Sequence, residues 1–265
     1  MALAVGLGRA FGGALIFSLP LLMTQELWDL GHSMERYRLL LLVLVSLPLL
    51  YFLSHYSGFE ETPSWKEDVR DVAIACGIGL VTSGIVLSLL SLITLGVSLS
   101  EAIGKMAVQM GPAALGALLA RSQFGAGDDR PQDVEETYGG ELGIMAIGAL
   151  FLGLNIAPTE EMVLISYRLT PGHIFILIPV SLLIMHAFVF ATAFKGGSEL
   201  HPDTPWWSAF MRFTLVGYVL SLLICLYVLW TFGRLDGLDT MRIVNVTVVL
   251  GFPAAVGAAA ARLIV

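Results

Sequence analysis

Long apolar runs separated by short polar breaks set the pattern of this chain. Eight runs approach or exceed the roughly 20 residues that a helix needs to cross a hydrocarbon core. They predict eight spans, at 9–30, 39–56, 71–97, 101–121, 141–167, 173–194, 206–232 and 240–265. One run carries its polar residues inside it. The stretch 148–167, GALFLGLNIAPTEEMVLISY, holds Asn155, Thr159, Glu160 and Glu161 between apolar flanks. A carboxylate at mid-membrane costs about 2.5–3.5 kcal/mol on insertion scales, so such residues normally serve an ion or proton path.

The pattern repeats. The stretch 13–28, GALIFSLPLLMTQELW, aligns on 148–163 without a gap, which lays Gly13 on Gly148, Thr24 on Thr159 and Glu26 on Glu161. Further on, Val45-Ser46-Leu47 matches Val180-Ser181-Leu182, and Thr62-Pro63-Ser64-Trp65 matches Thr204-Pro205-Trp206-Trp207. Val86-Leu87-Ser88-Leu89-Leu90 recurs as Val219-Leu220-Ser221-Leu222-Leu223, and Pro112-Ala113-Ala114-Leu115-Gly116 as Pro253-Ala254-Ala255-Val256-Gly257. The order of the matches is conserved, so the chain reads as a tandem duplication of a four-span unit. Residues 1–121 form the first unit and 141–265 the second, joined by an acidic, Gly- and Pro-containing linker at 122–140 that reads as solvated and mobile. An even number of spans starts both units on the same side. The expected fold is therefore an all-α polytopic membrane protein, a 4+4 parallel repeat with a pseudo-twofold axis along the membrane normal. That axis is expected to set Glu26 opposite Glu161, each carboxylate disfavouring the other's ionisation.

Composition agrees with a membrane protein: 57% of residues are hydrophobic and 13% charged, against about 25% charged in soluble domains. The formal net charge of −7 lies mostly in loops and makes a nucleic-acid partner unexpected. Cys76 and Cys225 lie in apolar runs without metal-ligand spacing and read as packing residues. The N-terminal run resembles a signal peptide, but its internal match at 148–167 is mid-chain, so a retained first helix is expected. The distribution of Lys and Arg slightly favours both termini in the cytoplasm, with the Thr-x-Glu sites toward the outer leaflet.

The candidate ion ligands are Thr24, Glu26, Thr159 and Glu161, with Glu160 and Asn155 nearby. Hydroxyl and carboxylate oxygens are the hard donors that Na⁺, Ca²⁺ or a proton would use. The competing reading makes the glutamates interfacial, capping helices or pairing with Arg36, Arg38 or Arg168. Pro158 reads as the first residue of a helix with acids in its first turn, and a break is expected near Asn155. Pro20 stands at the position of Asn155, and interrupted helices at matching places point to a transport site. His186 is a candidate proton relay, or else a hydrogen-bonded core residue. Gly111, Ala113, Ala114, Gly116 and Ala117, and Gly257 to Ala261, make small faces for close helix contact between halves or between subunits. Trp28, Trp65, Trp206, Trp207 and Trp230 read as an interfacial belt.

The runs Asn155-x-x-Pro158-Thr159-Glu160-Glu161-Met162 and Pro20-x-x-x-Thr24-x-Glu26 resemble a bacterial family of integral membrane proteins with no assigned function. The resemblance covers most of the chain and implies a bacterial inner-membrane protein. Ala157-Pro158-x-Glu160-Glu161 followed by Arg168 is also similar to the A-P-x-x-E-E-x-x-x-R motif of the CAAX-protease-like glutamate proteases. This chain departs from it: the Arg falls too late, and Leu182 rather than Phe stands four before His186.

These readings favour a cation channel or a cation- or proton-coupled transporter, without enzymatic activity or cofactor. The lipid bilayer, a cation, and a second copy or a partner membrane subunit are the expected partners. A non-enzymatic membrane subunit of a larger complex, contacting its partner through the linker, is the alternative. An intramembrane glutamate protease comes third.

Overall fold

The computed structural model describes residues 2–57, 65–124, 138–193 and 206–264. Its regular elements are all helical: α1 Ala2–Leu22, α2 Gln25–Ser33, α3 Arg36–Ser57, α4 Trp65–Leu89, α5 Leu99–Phe124, α6 Tyr138–Ile156, α7 Glu161–Arg168, α8 Pro171–Ala193, α9 Trp206–Ala209, α10 Val216–Thr231 and α11 Thr240–Ile264. A π-helical segment, Phe210–Leu215, links α9 to α10. Among the described residues, seven helices are long and apolar enough to cross a membrane, or eight if the bent pair α1–α2 is one span. The chain divides into two compact units, Met1–Val134 and Glu135–Val265. The predicted linker runs into helix at both ends, and its central residues 125–137 lie outside the described residues. So do residues 58–64 and 194–205, which hold part of the Thr-Pro match.

Small residues decide which helix sits in the middle of each unit. In the first, α5 packs against α1, α2, α3 and α4. It buries 72% of its apolar window, against 33% for α3 and for α4. A Cβ on Gly13 of α1 would collide with the carbonyl oxygen of Gly116 on α5, and one on Gly116 would collide with that of Gly13. The second unit repeats the device. There α11 packs against α6, α7, α8 and α10, burying 61% of its window against 17% for α8. Gly148 of α6 and Gly257 of α11 meet backbone to backbone in the same way. Such small faces were expected to allow close contact between halves or subunits; within each unit they already bring two helices together, since Gly lets two backbones approach so closely. Leu40, Leu44, Phe175 and Leu183 on α3 and α8 are exposed, as lipid-facing side chains are. Both cysteines are free.

Three predicted spans end early, the one expected at 141–167 stopping at Ile156. The span expected at 71–97 stops at Leu89, because Ser91 adopts a left-handed φ of 60°. The Leu92 amide then turns back to the Leu87 carbonyl at 2.8 Å. The span expected at 9–30 is two helices, α1 and α2, bent by 87°. Pro20 has no N–H to return to Ile16, and Thr24 takes an extended backbone, φ −98° and ψ 116°.

Candidate functional site

Both candidate sites are helix breaks, and each break is closed by side chains. A helix end leaves its last carbonyls without partners inside the helix. At the end of α1, Thr24 Oγ1 donates to Pro20 O at 2.7 Å and Trp28 Nε1 to Leu22 O at 2.7 Å. Gln109 Nε2, reaching from α5, donates to Leu21 O at 3.4 Å. Trp28, read from the sequence as an interfacial aromatic, is thus a capping residue. Glu26 lies in the first turn of α2, half-buried, where the helix dipole favours a carboxylate. α2 docks on α5 through Gly31, where a Cβ would meet the Lys105 backbone at 2.6 Å. Arg36 donates to Gly31 O at 3.2 Å and to Ser100 Oγ at 3.1 Å. Lys105 bonds Leu92 O at 3.1 Å and Glu101 at 2.7 Å.

In the second unit α6 ends at Ile156, and the break runs from Ala157 to Glu160. This is the interruption expected near Asn155. Asn155 Nδ2 donates to Phe151 O at 2.7 Å, and Thr159 Oγ1 to Ile156 O at 2.8 Å. Pro158 is not the first helical residue, as predicted, but stands in the turn; Glu160 is the N-cap of α7 and Glu161 its first residue. The Pro158 carbonyl accepts from Arg234 Nη2. Glu160 pairs with Arg234 Nη1 at 3.2 Å, not with Arg36, Arg38 or Arg168 as the ion-pair reading had it. Its side chain is 70% exposed, so Arg234 acts mainly through the buried carbonyl. At the far end of α7, Arg242 donates to Ser166 O at 3.4 Å and lies 4.1 Å from the Tyr167 ring centre.

Glu161 is exposed and lies beyond the apolar span. The Thr159 hydroxyl holds its carboxyl below the ordinary glutamate value, helped by a backbone N–H and by Arg234. A Glu–Glu pair was expected to raise it; within its own unit the shift runs the other way, since hydrogen bonds to the ionised form outweigh a small desolvation. The Thr159 hydroxyl has one proton, and Ile156 O and Glu161 compete for it.

Arg234 was not foreseen, because it lies in the loop after α10, 74 residues from Glu160. Its removal gives a direct test. Arg234→Leu is expected to cost about 1.5–3 kcal/mol, the range for a charged hydrogen-bond donor, read as a fall in Tm in detergent. Glu160→Gln should cost under about 1 kcal/mol, as exposed pairs do.

His186 does not join the glutamates. Its Nδ1 lies 2.9 Å from Thr214 Oγ1 in the π-helical segment, and its ring stacks edge-on against Phe210. Thr214 and Arg234 flank α10 at opposite ends, about 30 Å apart at 1.5 Å per residue. The His186 end of the unit holds a second polar group that the sequence reading passed over. Arg262 Nη2 donates to Glu141 Oε2 at 2.7 Å, with side chains 11% and 6% exposed. Its guanidinium lies 4.7 Å from the Phe213 ring centre. Tyr138 Oη donates to the Arg212 carbonyl inside the π segment at 2.8 Å. Among the described residues, no three His, Cys, Asp or Glu side chains converge as a metal site requires.

Residues 6–265 match a family described as "Putative integral membrane protein (DUF2391)". No curated protein and no solved structure matches the chain.

Proposed function

The chain belongs to the DUF2391 family of integral membrane proteins, and on that premise we propose that it carries a cation across the bilayer, as a channel or a cation-coupled transporter. One observation carries the reading: each unit interrupts its first span at the aligned threonines, Thr24 and Thr159, and starts a short helix bearing the aligned carboxylate, Glu26 or Glu161. Paired interruptions of this kind mark the binding sites of transporters built from repeats.

The reading takes the two units as copies of one four-span fold. Three features support that. Gly13 meets Gly116 as Gly148 meets Gly257. The central helix is the last of each unit. The carbonyls of Gly31 and Ser166, which fall on each other in the ungapped alignment, each accept from an arginine near the C-terminus of a short helix, where a cation complements the dipole. The arginines differ, Arg36 from α3 and Arg242 from α11, so the charge recurs where the sequence does not. Both termini in the cytoplasm of a bacterial inner membrane remains the orientation that the reading adopts.

The glutamate-protease reading loses support, because His186 and Glu160 stand at opposite ends of their unit. The test is flux. Purified protein in liposomes is expected to pass Na⁺, Ca²⁺ or protons down an imposed gradient faster than protein-free vesicles. Flux equal to that of empty vesicles for all three ions would favour the membrane-subunit alternative.

A further inference from the structure

Three fully buried side-chain oxygens of α4 and α5 have no hydrogen-bond partner among the described residues: Gln109 Oε1, Thr82 Oγ1 and Ser83 Oγ. Their residues are 1%, 0% and 0% exposed. Buried polar groups almost always find a partner, and several buried serines in this chain do: Ser18, Ser46 and Ser221 each donate to the carbonyl four residues back.

The packing of α4 on α5 sets the three at one level. A Cβ on Gly79 would lie 3.0 Å from Met110 O, and one on Gly84 would lie 3.0 Å from Met106 Sδ. The helices are therefore antiparallel here, and residues 82–83 fall between those two contacts, level with 107–110. Thr82 and Ser83 lie on the buried stripe of α4 that also holds Ala75, Gly79 and Leu87. Gln109, at the same level on α5, reaches the end of α1. Its amide nitrogen is spent on Leu21 O at 3.4 Å, which leaves Oε1 as an acceptor. The C-terminal carbonyls of α1 arrive at this level too, bringing the negative end of the helix dipole.

We propose that this junction binds an alkali-metal cation, with Gln109 Oε1, Thr82 Oγ1 and Ser83 Oγ as ligands. Neutral oxygens replace the hydration shell of a monovalent ion, and the C-terminal ends of interrupted helices coordinate Na⁺ in transporters. Divalent sites commonly include carboxylates, and none of the three ligands is charged. The nearby cation Lys105, one turn before Gln109 on α5, is neutralised by Glu101 at 2.7 Å. The proposal rests on the transport reading for its purpose, but its ligands are distinct from Thr24 and Glu26 and belong to one unit alone.

The experiment measures binding without flux. Tm of the purified full-length chain in detergent is recorded in sodium chloride, potassium chloride and choline chloride at equal ionic strength. Sodium or potassium is expected to raise Tm by a few degrees over choline, by mass action on the folded state. Gln109→Met and Ser83→Ala should abolish that rise, and Ser83→Ala is small enough to fold if Gln109→Met does not. A wild-type Tm indifferent to the cation would leave bound water as the partner of these oxygens and overturn the site. A rise that persists in both variants would place the cation elsewhere and overturn it equally. Cation-dependent Tm without flux would uphold the site and remove the transport reading.

Discussion

Gly148→Val is expected to abolish folding of the second unit. A Cβ on Gly148 meets the Gly257 carbonyl oxygen and the Ala261 Cβ, and neither is the tip of a flexible side chain that could step aside. α6 and α11 would have to separate along their whole contact, and that contact carries the centre of the unit. Overpacking of this severity belongs among the exceptional single substitutions, at about 4 kcal/mol or more. The measurement is the yield of monodisperse protein by size exclusion in detergent. Gly139→Ala serves as the control, since a Cβ there meets nothing within 4 Å. Near-normal yield and Tm for Gly148→Val would mean that the two backbones do not cross there.

Arg262→Met is the second large effect. It leaves Glu141, 6% exposed on its side chain, buried without the guanidinium 2.7 Å away. Removing one member of a buried pair costs about 3–5 kcal/mol. The double variant Glu141→Leu with Arg262→Met should recover most of the loss, since an apolar pair of similar volume is often neutral or better. A double-mutant cycle on Tm reads the coupling. If both singles melt like the wild type, the pair is solvated and plays no part in joining α6 to α11.

Much of this architecture was legible in the residues, for a physical reason. Spanning helices need long apolar runs, and seven or eight candidate spans are observed among the described residues, with the runs at 9–30 and 141–167 each broken into two helices. The break in the second unit was visible because Asn155, Pro158 and two acids interrupt an apolar run. The break in the first was less so: Pro20 and Thr24 lie in a run that stays apolar through Leu22 and Met23, and the bend depends on Trp28 and Gln109 capping carbonyls that Pro20 and the turn set free. The small faces of α5 and α11 were legible as contact surfaces, but not their partners, because a Gly stripe carries no address.

The charged partners were the hidden part. Glu160 finds Arg234 across 74 residues, and Glu141 finds Arg262 across 121. No local periodicity encodes such contacts. Gln109, Thr82 and Ser83 showed only as single polar letters in apolar runs, the same signal given by Ser46 and Ser221, which merely bond their own helices. Burial without a partner, not composition, sets them apart.

The central proposal is that the aligned carboxylates, Glu26 and Glu161, each serve cation passage. Its most direct measurement is cation flux into proteoliposomes for wild type, Glu26→Gln, Glu161→Gln and the double variant, at matched protein incorporation. The account predicts that each single substitution cuts flux about tenfold or more, the order of effect of about 1.4 kcal/mol on a barrier, and that the double adds little. Flux that survives both single substitutions at the wild-type rate would contradict it.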